Sequence, residues 1–450
     1  EMTSIYDIAL DRINYSLPLA GEADVMRTAM TTSGVTSGAD GFGGMSVRGG
    51  AENQNLILFD GIPVYNSNHA FGLFSIFNSK LVKSARLFKG TIPAHYSGRL
   101  SSVLDIRTRE GNMKELSGDV SVGLFTAKAS IEGPIKKDKS SFLFSARRTF
   151  VDPWIGAATE ALNRSVNKEG RTEFYFYDIN GKLNFNLGDN SRLYLSYYSG
   201  RDLYETDLLT RSEDESYAFE DRDEIIWDTG NELAAVRWNT RLSHKLFLNA
   251  FAYRSVYEFN SFDHDRIDVF DKQTMDFSSA RFDAGYYQSK IEDRGARMEF
   301  DFIPNRSHSI RFGAGFVQHD FNPTMLLANS SDSIVSIQTH VNSDILSSRL
   351  EEPNIKADEY EFFVEDEIKL GPFTSLNLGY NHMMIKTAGT TYQVSQPRIL
   401  FKTGSEKYTF NASWGKTGQF LHSLVNTGLG VPIDVWLPST DRIAPEEAWM

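Results

Sequence analysis

The chain has 450 residues, of which 46 are basic and 59 acidic. The resulting net charge of −13 excludes a general nucleic-acid binder. There is no cysteine, so disulfides and thiolate-held metals are excluded as well. Aromatic residues are abundant, with 32 Phe and 19 Tyr, while mean hydropathy is −0.34. That combination suits half-buried strands with one oily and one wet face.

No apolar run approaches the roughly 18 residues of a membrane-spanning helix. The opening EMTSIYDIAL lacks the charged and apolar regions of a signal peptide. Residues 1–112 are rich in Gly and Ser and contain equal numbers of acids and bases. They read as a small mixed α/β unit with short elements. Turn signals at Arg48-Gly49-Gly50 and Asp60-Gly61-Ile62-Pro63 bracket an apolar run, Leu56 to Phe59, with Leu56 and Leu58 expected in a small core. A helical turn is expected over Asn78 to Ser84, then strands over Ala85 to Phe88 and Val103 to Thr108.

From Ser117 onward the period is two. Lys182-Leu183-Asn184-Phe185-Asn186-Leu187 alternates strictly, as do Arg297 to Phe302 and Tyr408 to Trp414. Short turns, such as Gly188-Asp189-Asn190-Ser191 and Asn305-Arg306-Ser307-His308, alternate with long polar segments near 156–171, 203–225, 263–278, 323–356 and 426–446. Short connections on one side and long ones on the other mark a transmembrane antiparallel β-barrel. Thirteen strands are expected: 118–124, 127–135, 140–154, 172–188, 192–206, 225–242, 245–262, 279–304, 308–321, 357–371, 374–391, 394–403 and 407–425. An odd count does not close an ordinary bacterial barrel. A further strand should begin near Pro445, so 113–450 is expected to be the N-terminal portion of a longer wall.

Four pieces in order now carry a resemblance: Ser46 to Gly50, Leu58 to Val64, Ser84 to Gly90, and Tyr96 to Thr108. Together they resemble the plug domain of TonB-dependent outer-membrane receptors, most nearly those of the Bacteroidetes type. The resemblance implies a mainly β fold, with a small α/β plug at 1–112 inside a barrel that in the family has about 22 strands. It implies a location in the outer membrane of a Gram-negative bacterium, among lipids and lipopolysaccharide. It implies import of an extracellular ligand, small or oligomeric, energised by TonB. A surface lipoprotein or another outer-membrane subunit is a further expected partner. The alternative is a structural or partner-binding component that keeps the fold without transport. The family's TonB-binding segment, expected before the plug, is not found in these residues.

By position, the resemblance places the ligand at the plug top, implicating Glu52, Asn53, Gln54, Tyr65, Asn66, Asn68 and His69. These side chains supply both donors and acceptors. Arg48, Arg99 and Arg107 of the plug are expected to pair with wall acids, with Glu299, Glu361 and Glu365 the candidates on wet strand faces. Such a polar latch would let the plug shift without unfolding the wall.

Enzymatic signals are poor. There is no HExxH, Walker loop, Gly-x-Ser-x-Gly or cysteine nucleophile, and the glycines of 41–50 do not open a helix after a strand. No cofactor is expected. The segment Asp202 to Asp228 holds eleven acids against Arg211 and Arg222, and Asp263, His264, Asp265, Asp268 and Asp271 follow. A solvated loop explains such density without a metal. Phe174 to Tyr177 and Tyr197-Tyr198 are expected to belong to interfacial aromatic girdles.

Overall fold

A computed structural model describes residues 5–9, 12–13, 22–37, 44–90, 92–332, 354–405, 407–426 and 433–450. The first part is built of short elements. They are β1 (Ile5–Ile8), α1 (Val25–Met30), β2 (Val35–Ser37), β3 (Met45–Val47), β4 (Asn55–Phe59), β5 (Ile62–Pro63), β6 (Asn68–His69), β7 (Phe74–Ser75), β8 (Val82–Lys89) and β9 (Ser102–Thr108). Five of them form one sheet in the order β1-β8-β9-β4-β5. The β4–β9 pair is parallel and the rest are antiparallel.

Alternation along these strands fills two cores. Ile57, Phe59, Leu87, Leu104 and Ile106 face α1, whose Val25, Met26 and Ala29 cover them. Leu56 and Leu58 turn the other way, onto Phe88, Ile92 and Val103. The expected pair therefore enters the smaller cluster, and its neighbours enter the larger one. The larger core also takes in Tyr198, Leu233 and Phe251 of the surrounding wall, so the two parts share buried apolar surface.

The wall follows as β10 (Ser117–Val122), β11 (Thr126–Lys136), β12 (Ser140–Thr149), α2 (Asp152–Ser165), β13 (Lys168–Asn186), β14 (Ser191–Glu213), β15 (Tyr217–Arg241), β16 (Leu246–Asp271) and β17 (Phe277–Phe302). Then come β18 (His308–Phe321), β19 (Thr324–Asp332), β20 (Ile355–Lys369), β21 (Ser375–Thr387), β22 (Thr390–Gly404), β23 (Thr409–Gln419), β24 (Leu421–Asn426), β25 (Ile433–Pro438) and β26 (Glu446–Trp449). Strands β10 to β18, β20 to β23 and β26 pair in sequence as one sheet, with β19 added on β17. Thirteen of these strands overlap the expected ones, but the expected 407–425 is divided between β23 and β24 and the expected 140–154 stops at Thr149; β19 and β26 are additional members. Strands β24 and β25 form a separate hairpin.

Three of the expected long loops are regular structure. Residues near 156–171 form α2, with Pro153 in its first turn. The segments near 203–225 and 263–278 are strand: β14 and β15 stay in register to Glu213↔Ala218, and β16 and β17 nearly to their tip. Their acids lie opposite arginines, Arg222 with Asp207 at 2.7 Å and Arg211 with Glu220 at 2.7 Å. A hairpin wet on both faces shows no apolar alternation, and so it looks like loop in sequence. The other two segments, near 323–356 and 426–446, lie partly outside the described residues.

The wall is inverted relative to a soluble sheet. On β20, Glu361, Phe363 and Glu365 are buried while Phe362 and Val364 are 54% and 46% exposed. Val236, Met298, Phe312, Ile399 and Phe401 are likewise exposed. An outward apolar band around a polar interior is the arrangement of a β-barrel solvated by lipid.

Candidate functional site: the plug top and its seam with the wall

Two tight turns shape the plug top. Asp60 and Gly61 join β4 to β5 with φ of 52° and 89°. Positive φ at both central residues is the hairpin turn that matches strand twist, and Asp-Gly is suited to it. Arg48 and Gly49, with φ of 49° and 83°, make a similar turn closed by Gly50 N–H to Val47 O at 2.9 Å.

That turn settles where Arg48 goes. Its side chain is exposed and lies against Gly34 and Gly90; burial, with the Arg48 charge adding to it, lowers the pKa of the neighbouring Lys89. Among the described residues it has no carboxylate partner, so it does not serve as the expected latch. Arg107 pairs inside the plug with Asp105 at 2.8 Å. Arg99 donates to the carbonyl of its neighbour Gly98 and lies over the rings of Trp436 and Tyr65. None of the three arginines reaches Glu299, Glu361 or Glu365.

The seam is polar nevertheless, with the charges the other way round. Glu365 accepts from Ala94 N–H at 2.8 Å and meets His95 Nδ1 at 2.6 Å. Glu361 accepts from the hydroxyl of Ser97 and pairs with Arg297 at 2.7 Å. Glu299 stays within the wall, on Arg297 and Asn249. The guanidiniums that grip the plug come from the wall. Arg398 donates to the carbonyls of Ile92, Pro93 and Tyr96 at 2.9, 2.6 and 2.7 Å. Arg297 donates to His95 O, and Arg237 to Asp60 O. Plug carbonyls are the acceptors because irregular backbone inside a wall leaves them without ladder partners.

A second seam runs along the other side. Lys182 of β13 reaches Asp60 at 3.1 Å and Thr108 O at 3.1 Å. Burial raises the Asp60 pKa, but Lys182 and the Thr108 hydrogen bonds outweigh it and leave it lowered. His69 is buried between two wall acids, with Nε2 2.8 Å from Asp178 and Nδ1 on Asp202, its ring stacked on Phe176 at 4.3 Å. Burial pushes the imidazole down; the two carboxylates push harder, and its pKa settles at about 9. Asp178 also holds Arg147 at 2.6 Å, and Arg147 continues to Glu22 at 3.0 Å and to Ser75 O at 2.7 Å. Burial raises the Glu22 pKa, and Arg147 with Lys128 more than offsets that.

Above the plug lies a cavity of about 930 Å³. Glu52, Asn53, Gln54, Tyr65, Asn66 and Asn68 line it, and His69 does not. Tyr65 also donates to Asp293 at 2.6 Å, which fixes its ring. The wall supplies Phe174, Tyr204, Trp227 and Tyr257, and the β24–β25 hairpin supplies Trp436. Sequence reasoning missed these wall residues. Phe174 and Phe176 face inward, one onto the cavity and one onto His69, rather than forming a girdle. Tyr198 is likewise buried, donating to Asp178, while its neighbour Tyr197 is exposed. The period-two rule separates such neighbours, but their level along the strand decides whether a plug residue meets them.

Asp221, Asp223 and Asp265 bring carboxylate oxygens within 4.8 Å of one another on the outer hairpins. Exposed acids cluster in this way without a metal, and no spacing in the sequence points to one.

A family model described as TonB-dependent Receptor Plug Domain matches residues 18–102. Among solved structures, the ferric enterobactin receptor PfeA of Pseudomonas aeruginosa is similar with a TM-score of 0.61 at 16% identity, over 99% of this chain and 67% of that one. The RagAB peptide importer is similar with a TM-score of 0.59 at 10% identity, over 99% and 64%. The FrpB iron transporter of Neisseria meningitidis gives 0.58 at 15%, over 93% and 65%. The chain thus spans about two thirds of the length of these structures, and at such identities the likeness is one of fold. No curated protein matches the chain in sequence.

Proposed function

On the premise that this chain carries the plug domain of the TonB-dependent receptors within a wall of their barrel fold, we propose that it imports an extracellular ligand across the outer membrane of a Gram-negative bacterium. Residues 1–112 act as the plug and 113–450 as wall. The ligand enters the cavity above the plug, between Asn53, Asn66 and Asn68 below and the wall aromatics beside them. TonB, pulling from the periplasm, shifts the plug and opens a path. No covalent chemistry is assigned to any residue. The long outer hairpins offer a surface to a lipoprotein or another subunit.

One observation carries this reading: the plug is held by hydrogen bonds to its backbone, from Arg398, Arg297 and Arg237, beneath a roomy cavity. Water can replace each such bond as the plug moves, while the charge pairs of the other seam, Lys182 with Asp60 and His69 with Asp178 and Asp202, are what the pull must separate. The test uses the absence of native cysteine. A single Ser97→Cys in the full-length protein, labelled with a maleimide in living cells, should react when TonB is present and energised. It should be protected when TonB is deleted. Equal labelling in both strains would contradict the proposal.

A further inference from the structure

The plug top contains an unusual stretch of backbone. Ala70, Phe71 and Gly72 are all left-handed, with φ of 52°, 57° and 95°. Two successive non-glycine residues rarely adopt this region, and the strain persists only where the surroundings impose it. Here Asp202 accepts the Ala70 N–H at 2.7 Å, next to the buried His69. The consequence is that Phe71 stands out into the cavity, 52% exposed. It faces Trp227 edge-on at 5.8 Å, and Trp227 is stacked on Tyr204 at 4.6 Å. Tyr204 and Trp227 are direct cross-strand partners on β14 and β15, so the platform is rigid.

Among the described residues, two polar atoms beside these rings lack partners. The indole N–H of Trp436, which is 94% buried by its 6% exposure, has none, and neither does the hydroxyl of Thr229. Both residues line the cavity. Buried donors of this kind require acceptors. The charged residues of the lining are Glu52, Asp202 and Arg99. Asp202 is already engaged by His69 and Ala70, and Arg99 lies over Trp436 and Tyr65. The hairpins above are strongly acidic, so the field at the entrance repels anions.

Building on the receptor reading, we propose that the ligand is a neutral oligosaccharide, stacked on Phe71, Tyr204 and Trp227 and hydrogen-bonded through its hydroxyls to Trp436, Thr229 and the plug asparagines. A sugar ring has an apolar face for the aromatics and hydroxyls that both donate and accept, which answers each feature of the lining. An anionic iron chelate would meet one engaged guanidinium and an acidic entrance. A peptide could not add a strand at the platform, because β14 and β15 are paired on both edges.

The test is binding of the full-length receptor in detergent to an array of neutral gluco-, xylo-, manno- and galacto-oligosaccharides. Uronic-acid oligosaccharides, a ferric catecholate and a Gly/Ser hexapeptide are run beside them. A neutral oligosaccharide should bind and quench tryptophan fluorescence, and the anionic probes should not bind. Trp227→Ala and Phe71→Ala should each weaken binding by about tenfold, and Trp436→Phe, which keeps an aromatic ring but removes the indole N–H, by about fivefold. Failure of every neutral oligosaccharide to bind would overturn the inference. If the peptide or chelate then bound through the same residues, the receptor reading would stand. Oligosaccharide binding with TonB-independent labelling of Ser97→Cys would uphold the ligand class and overturn the transport mechanism.

Discussion

The carboxylate of Glu365 in the wall accepts the backbone N–H of Ala94 in the plug at 2.8 Å. The same carboxylate meets His95 at 2.6 Å, and two strands away Arg398 takes three carbonyls of the same plug segment. One loop, Ile92 to Ser97, is therefore held largely through its backbone, with the side chains of His95 and Ser97 adding contacts to Glu365 and Glu361. Such a seat is set chiefly by where the wall places its charges.

Arg398 should be the costliest single loss on this side. Arg398→Ala takes the donor from the carbonyls of Ile92 and Tyr96, while Pro93 O keeps the N–H of Tyr96 at 3.0 Å; the cost is roughly 1–3 kcal/mol for each group not rescued by water. The variant should admit vancomycin through the outer membrane and expose the plug to protease. A sealed, protease-resistant plug in Arg398→Ala would show that the carbonyl grip is dispensable.

Arg48 makes the opposite case. Its φ of 49° is strained for arginine, and the side chain is exposed. Arg48→Gly should leave the melting temperature unchanged or raise it, by up to about 1 kcal/mol of stability. Arg48→Val, β-branched at positive φ, should cost about 1–3 kcal/mol. Thermal unfolding of the two variants checks the ordering, and a leaky plug in Arg48→Gly would restore the latch role.

His69 gives the seam a pH dependence. Its pKa in place is about 9, above its ordinary 6.5. A raised pKa means that the charged form is favoured by docking. The stabilisation is complete below about 6.5 and is lost as pH rises through about 9. Protease cleavage of the plug should therefore accelerate between pH 7 and 10, and His69→Gln should flatten that rise. Parallel profiles in the two proteins would remove His69 as the cause.

Binding and seating should separate at neighbouring residues. Asn68 lines the cavity and His69 does not. Asn68→Ala should weaken ligand binding several-fold, by about 1 kcal/mol, without loosening the plug. His69→Ala leaves Asp178 and Asp202 short of a partner and should loosen the plug first. Vancomycin sensitivity scored beside affinity distinguishes them; identical effects on both would merge the two roles.

Much of this was legible in the sequence. Alternation placed Glu361 and Glu365 on a wet face, and local turn chemistry placed the Asp60-Gly61 turn; the plug-top asparagines were placed by the family resemblance, and they line the cavity. Local patterns could not show that Arg48 occupies a left-handed turn position, because glycine dominates such positions and arginine gives no signal there. Nor could they pair His69 with Asp178 and Asp202, which lie 109 and 133 residues away. Period two says which face a residue takes. Register against the plug decides whether that face meets a ligand, a carbonyl or another charge.

The most direct test of plug movement joins the seam. Ser97→Cys and Glu361→Cys in the full-length receptor, linked by a short reducible bis-methanethiosulfonate, would tether the plug where the hydroxyl of Ser97 meets the wall. Cells carrying the tethered receptor should bind a fluorescent neutral oligosaccharide at their surface but not accumulate it, and reduction should restore accumulation. TonB-dependent accumulation at full rate with the tether intact would contradict import by displacement of this plug.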